Sequence, residues 1–420
     1  MACHSRRRVA VVLLSVLIGG CLLAAGSEAR GDWKSFAIPT DVSKSGTAPY
    51  LGDNSGWLAT AANMLGGAGY GRGRTDAVRA ANIYQNLVTW NGGTATTGSV
   101  KSAMDWWLGS SNNIWKGNPY TATQVDSGVG SNANGLGQMG NRLRGGAFVS
   151  LEIAGSANHA LTLWGDDGSA GNFAPGANPS RLFLSDSNDA TTGFYTSDPS
   201  WDSHNSRWTL PYANGMATLA NANTLSRSRA DAWTIPLCPG SSLVVTAPTS
   251  VGNGLSNYWV YLVRTDDATS QTYALDISFT GSSLSQLLSN GAATPMLTTA
   301  VQLEQNLSQD THFLGYGDWW VDSTAYDMMM IESTLAESST ELKGAMAFGK
   351  NVSPGWRLDQ PVAEIVVPDG EFFTISGKYG AGTGDKGEIV FAPFAATSVP
   401  EPLTCSLLAL GGLGLIRRRR

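Results

Sequence analysis

The chain has 420 residues, 27 Lys and Arg against 33 Asp and Glu, and only 14% of it is charged, well under the usual quarter. Seven of the basic residues lie at the ends (Arg6 to Arg8 and Arg417 to Arg420), so residues 30–398 hold 20 basic against 31 acidic residues, a net of about −11. Such a body argues against a nucleic-acid partner, because that affinity rests on neutralising phosphates with Lys and Arg. Fifty glycines and 14 tryptophans fit a secreted, β-rich protein rather than a charge-rich cytosolic enzyme, and 42% hydrophobic content is ample for a core.

At the N-terminus, Arg6-Arg7-Arg8 precedes the apolar run Val9 to Ile18, the pattern of a secretory signal. Ser27-Glu28-Ala29 offers a small-x-small cleavage site, which assigns residues 1–29 to the signal peptide. Ile18-Gly19-Gly20-Cys21 also resembles a lipobox, which implies lipidation of Cys21. Of four cysteines only Cys238 falls in the mature body, so no intrachain disulfide is available there and the fold rests on core burial.

Within 30–240, Leu58, Ala61, Ala62 and Leu65 recur at i, i+3, i+4 and i+7, predicting a helix that Asp53, Asn54 or Ser55 caps and Gly66-Gly67 ends. Val78 to Val88 and Val100 to Leu108 read as two further helices. Phe148 to Ile153, Ala160 to Gly165 and Arg181 to Asp186 read as strands, giving an α+β domain. Leu237-Cys238-Pro239-Gly240 marks a boundary. Beyond it, residues 241–395 show short β-like runs at Ser242–Ala247, Tyr258–Arg264, Thr272–Phe279, Ala363–Val367, Phe372–Ser376 and Glu388–Phe391. Turn residues separate them, which predicts a separately packed antiparallel β-sandwich, with a helical turn at Ser283 to Leu288.

At the C-terminus, Val399-Pro400-Glu401-Pro402 is followed by the apolar Leu403 to Ile416 and then four arginines. That apolar run is shorter than the ~20 residues of a free-standing span, and its Arg cluster favours the cytoplasmic side. Together, residues 399–420 resemble a PEP-CTERM sorting signal, also known as the ice-binding protein C-terminal motif. The resemblance implies export from a Gram-negative-type bacterium, a transient membrane anchor helix, processing by signal peptidase and an exosortase, and delivery to the cell surface or extracellular matrix.

Three segments carry a second resemblance. Asp53-Asn54-Ser55-Gly56-Trp57-Leu58-Ala59-Thr60-Ala61-Ala62-Asn63-Met64-Leu65 comes first, then Asn158-His159-Ala160-Leu161-Thr162-Leu163-Trp164-Gly165, then Leu184-Ser185-Asp186-Ser187-Asn188-Asp189. Their order and character resemble the IdeS/Mac family of papain-like cysteine endopeptidases over residues ~33–235. That family places its nucleophilic cysteine at the start of a helix reading Ala-Thr-Ala-x-Asn-Met-Leu. Its histidine precedes a strand ending in Leu-Trp-Gly, and its acidic residue lies in an x-Asp-Ser-x motif. The resemblance implies a papain-like fold for 30–240, with His159 as base, Asp186 as orienting acid and Asn188 beside it. It puts Gly56 at the nucleophile position, where there is no sulfur. Lys44 is the nearest counterpart of the family's oxyanion-side lysine.

A helix N-terminus and a protonated histidine lower a thiol's pKa, and an acid or amide orients the imidazole. Gly56 removes the nucleophile from that arrangement, and Cys238 lies before a proline with no helix start nearby. Ser55 is a substitute nucleophile in one reading and a helix cap in the other, since a cap commits the hydroxyl to backbone N–H groups. Without the resemblance, His159 also reads as a buried histidine and Asp186-Ser187-Asn188-Asp189 as an Asx turn. Asp166, Asp167, Asp186, Asn188 and Asp189 form an oxygen-rich set but lack the loop spacing of a calcium site. His204 and His312 stand alone and read as structural. Trp106-Trp107 and Trp319-Trp320 are core pairs or, alternatively, carbohydrate platforms. The sequence calls for no cofactor and no metal. It points to an exported peptidase homologue that has lost catalysis in its family sense and binds polypeptide or extracellular polysaccharide; an active hydrolase and a matrix scaffold are the rival classes.

Overall fold

A computed structural model of the chain describes residues 33–34, 40–42 and 54–399, less 73–74, 94–96, 111–112, 114–119, 126–127, 155–158, 168–178, 188–194, 213–214, 229, 266–270, 287, 290–291, 294–295, 298–308, 318–327, 349–356 and 383–389. The expected signal peptide, Lys44, Asn188, Asp189, Trp319-Trp320 and residues 400–420 of the sorting segment lie outside the described residues. The architecture is α+β, with a few helices and mostly antiparallel sheets.

The helices are α1 (Gly56–Gly67), α2 (Asp76–Trp90), α3 (Val100–Gly109), the single turn α4 (Gly128–Ser131) and α5 (Gly135–Arg144). Local chemistry starts two of them. Thr75 Oγ1 accepts from Val78 N at 3.2 Å ahead of α2, and Ser99 with Ser102 forms a capping box at α3. Helix α1 was expected to show one apolar face, yet every residue from Gly56 to Gly66 is buried. Its alanines and glycines let neighbours approach from all sides. At Gly66, a Cβ would come within 2.8 Å of Ala80 on α2. A helix that is apolar all round belongs inside the protein.

The first sheet comprises β1 (Trp33–Lys34), β2 (Tyr120–Val125), β3 (Phe148–Ala154), β4 (Ala160–Asp166), β5 (Leu182–Ser185), β6 (Tyr195–Ser197), β7 (Ser200–Asp202), β8 (Arg207–Tyr212) and β9 (Gly215–Arg227). Its order is β6-β5-β4-β3-β9-β8-β7, with β1 on β4 and β2 on β9, and every pairing is antiparallel. Helix α5 supplies Leu136, Met139 and Leu143 to one core, which holds Val149, Leu151, Leu161 and Leu163 of the sheet. Helices α1, α2 and α3 share a second core.

The second sheet holds β10 (Asp231–Cys238), β11 (Ser241–Thr246), β12 (Thr249–Gly252), β13 (Leu255–Thr265) and β14 (Gln271–Gly281). After the short β15 (Leu288–Ser289), β16 (Ala292–Ala293) and β17 (Met296–Leu297) come β18 (His312–Gly317), β19 (Met328–Ser338), β20 (Glu341–Phe348), β21 (Arg357–Pro368), β22 (Phe373–Gly382) and β23 (Val390–Val399). Among the described residues, strands β15 and β16 pair only with each other. The main path runs β10-β11-β13-β21-β18-β19-β20-β14-β22-β23. The sheet folds over on itself: Tyr258 of β13 meets Phe373 of β22 edge-on at 5.1 Å, and Phe279 of β14 meets Phe313 of β18 at 6.0 Å.

Three expectations are corrected here. The chain passes from the first sheet to the second between Arg227 and Asp231, ahead of the predicted boundary, because Leu237 to Gly240 closes the β10–β11 hairpin instead. The second sheet is not packed separately. Trp259 and Tyr261 are buried on the face of β13 that meets the first layer, Arg227 lies 4.8 Å over the Tyr261 ring, and one apolar core runs through helices α1 to α3 and this sheet. Finally, where a helical turn was expected, the described residues Ser283 to Gln286 are irregular and Leu288 opens a short strand. Ser285 is held instead by its N–H to Val366 O and its hydroxyl to Gln309 O.

Candidate functional site

His159 directly precedes β4, and Asp186 directly follows β5, its antiparallel neighbour. The register pairs Thr162 with Ser185, which brings the two side chains to the same end of the hairpin. His159 Nε2 lies 3.2 Å from Asp186 Oδ2, with the histidine 7% exposed and the aspartate fully enclosed. A carboxylate at that distance fixes the ring's orientation and favours one tautomer.

Helix α1 is fastened to the same strand. Thr60 Oγ1 donates to Ala160 O at 2.9 Å, and Asn63 Nδ2 reaches Thr162 Oγ1 at 3.3 Å and Ser187 Oγ at 3.0 Å. Asn63 Oδ1 accepts Val42 N, and Ser187 donates to Asp41 at 2.6 Å. The pairs Thr60–Ala160 and Asn63–Thr162 advance together, so helix and strand run the same way. Stepping one turn back from Thr60 reaches Gly56, and one residue back from Ala160 reaches His159. Gly56, Thr60 and Asn63 recur at i, i+4 and i+7 and therefore share a face. That face turns toward β4, and the buried, side-chain-less first residue of α1 lies at its His159 end.

Ser55 is different. It occupies the N-cap position, but its side chain makes no cap hydrogen bond. Its hydroxyl is fully buried and pairs with Tyr84 OH of α2 at 2.8 Å. This corrects the expected capping role: the hydroxyl is turned to the enclosed phenol of α2 instead of the backbone N–H groups of α1. One residue along a helix turns the side-chain direction by ~100°, which separates Ser55 from the Gly56–Thr60–Asn63 face.

Tyr212, at the end of β8, has no counterpart in the sequence reading. Its ring stacks on His159 with centroids 6.0 Å apart and planes at 24°. Burial, and then the charge of Asp186, push its phenol above the usual range. No local signal marks it, because β8 and the β4–β5 hairpin meet only in the tertiary fold.

The described members of the oxygen-rich set do not assemble. Asp166 pairs with Leu182 at the far end of the hairpin from Asp186, four residues or about 13 Å along the strand at ~3.3 Å per residue. There it forms a buried ion pair with Arg144 of α5. Among the described residues, no group of three or more His, Cys, Asp or Glu is arranged to hold a metal ion. Cys238 sits half-buried on the second sheet, 3.6 Å from Thr272 Oγ1. Trp107 is core, whereas Trp106 stacks on the part-exposed Trp90 at 5.0 Å.

No family model matches this chain, and no curated protein matches it.

Proposed function

We propose that the chain is an exported, surface-sorted homologue of papain-like cysteine endopeptidases of the IdeS/Mac type that has lost its nucleophile and retains the site as a binding shape for polypeptide or matrix material. In this reading the helices and the first sheet, up to Arg227, are the papain-like part, and the second sheet, from Asp231, is a β-sandwich packed against it. The N-terminal signal and the PEP-CTERM segment direct export and exosortase processing, with a membrane anchor before processing. The observation that carries the reading is the common end of α1 and β4: a helix N-terminus without a side chain at Gly56, on the face turned to the strand that His159 opens, with His159 held by Asp186. A thiolate needs that combination, a helix N-terminus beside an oriented imidazole. With no side chain at Gly56, the first residue of α1 offers no sulfur to His159, and the Ser55 hydroxyl is paired with Tyr84 OH.

The test is to restore the missing atom. In Gly56→Cys, the new thiol should alkylate with iodoacetamide at least tenfold faster than Cys238 at pH 7, and His159→Ala in that background should abolish the difference, since the imidazole is what lowers the thiol pKa. Equal rates at the two cysteines would defeat the reading. Hydrolysis of an unfolded protein by the unaltered chain, lost in Ser55→Ala, would replace it with a serine hydrolase.

A further inference from the structure

The geometry points to a second binding site, for a neutral glycan, in a groove at one end of the second sheet. The groove has a volume of about 300 Å³ and is lined by Thr280, Gly281, Ser282, Glu371, Phe372 and Thr374. Its walls are two adjacent strand ends, since Thr280 pairs with Thr374 and Gly281 with Phe373. The register therefore places three hydroxyls and a carboxylate around one aromatic ring. Phe372 is 57% exposed although the next residue, Phe373, is fully buried in the sheet's core. Ser282 Oγ donates to Glu371, which orients the carboxylate at the rim.

The lining selects the ligand. An exposed ring beside a groove suits a ligand with an apolar face. Thr280, Ser282 and Thr374 donate and accept, and Glu371 accepts only, so the ligand must bring hydroxyl donors of its own. No Lys or Arg lines the groove, and Glu341, the register partner of Thr280 on β20, adds negative charge nearby. Phosphate and carboxylate ligands are disfavoured on that account. A sugar ring presents apolar C–H groups on its face and hydroxyls at its rim, which matches this arrangement. The site lies on the second sheet and does not depend on the reading of His159 and Gly56.

The experiment is affinity electrophoresis of the mature full-length chain in gels containing neutral polysaccharides (a β-1,3-glucan, a β-1,4-glucan, a mannan and a dextran), followed by titration calorimetry with hexamers of whichever retards it. Retardation by at least one is expected, unchanged between 50 mM and 500 mM NaCl. Phe372→Ala should weaken binding by about tenfold or more, the order of one lost aromatic contact, and Glu371→Gln several-fold. Phe391→Ala, an equally exposed phenylalanine at the far end of β22–β23, should leave it unchanged. Phe372 is exposed, so its removal should leave the melting temperature unaltered and any loss is a loss of contact. No retardation by any of the four polysaccharides would overturn the proposal, as would retardation that Phe372→Ala leaves intact. Salt-sensitive capture of a Lys-rich peptide that Glu371→Gln abolishes, without glycan binding, would overturn it in favour of a cation site.

Discussion

Single residues in this molecule show how burial reassigns a side chain's task. Ser55 stands where a cap belongs and bonds a phenol instead. His312 and Glu337 make the same point for ionisation. His312 is fully enclosed, and burial lowers its pKa to about 4, against a smaller upward pull from its hydrogen bond to Asp310 O. Burial, and then the charge of Asp310, raise Glu337 to about 8. The two act on stability in opposite directions. A lowered histidine contributes stability that is present above its unfolded pKa of ~6.5 and is lost as pH falls through about 4. A raised carboxyl contributes stability that is present below ~4.3 and is lost as pH rises through about 8. Of these two groups, only Glu337 contributes a slope between pH 6.5 and 8, and its contribution to stability should decline there. Glu337→Gln should flatten that decline in urea titrations at pH 6.5, 7.25 and 8; an unchanged slope would remove Glu337 as its source. His312→Gln should flatten only the acid side.

At the scale of elements, polar bolts join α1 to the β4–β5 hairpin. Asn63 is fully buried and satisfies Val42 N, Thr162 and Ser187 at once. Removing it leaves enclosed polar groups unpaired, at ~1–3 kcal/mol for each. Asn63→Ala should therefore cost about 2–4 kcal/mol in chemical denaturation, while Thr60→Val, which leaves only Ala160 O without its donor, should cost about 1 kcal/mol. If the two variants cost the same, the network is not what holds the helix. A second test concerns the start of α3. A Cβ at Gly98 would come 2.4 Å from the Trp57 ring, which is buried beside Gly56. Gly98→Ala should destabilise by about 1–3 kcal/mol through overpacking, read as a fall in melting temperature.

At the scale of the whole molecule, the two sheets are joined by a buried face. Arg227 ends β9, pairs with Asp359 of β21 at 3.2 Å and covers the Tyr261 ring. A Cβ at Gly69, just after α1, would lie 3.6 Å from Pro361 of β21. Residues 30–228 and 231–399 produced as separate chains would each uncover part of this face, Trp259 and Tyr261 on one side and Tyr70 and Tyr120 on the other. The joined protein should unfold in one calorimetric transition, and the separated halves should aggregate or melt at lower temperature. Two transitions in the intact chain, each matching a soluble half, would show that the halves are independent. Much of this fold was legible along the chain. The helices at 76–90 and 100–109 and the strand at 148–154 follow the periodicities that mark them, because amphipathic spacing and turn residues act within a few positions, whereas the strands at 160–166 and 182–185 are legible as short runs buried along their length. The low charge and lone body cysteine likewise dictated a fold held by burial. What only the tertiary structure decided lies further apart. The partner of Ser55 is 29 residues away, that of Asn63 is 124 residues away in Ser187, and Tyr212 reaches His159 from another strand. Strand β13 is buried almost along its length, and its sequence does not reveal that one face meets its own sheet while Tyr261 meets Arg227 of the first sheet. Hydrophobic burial is non-directional, so the sequence by itself determined which residues must be covered, and only the folded chain decided by what.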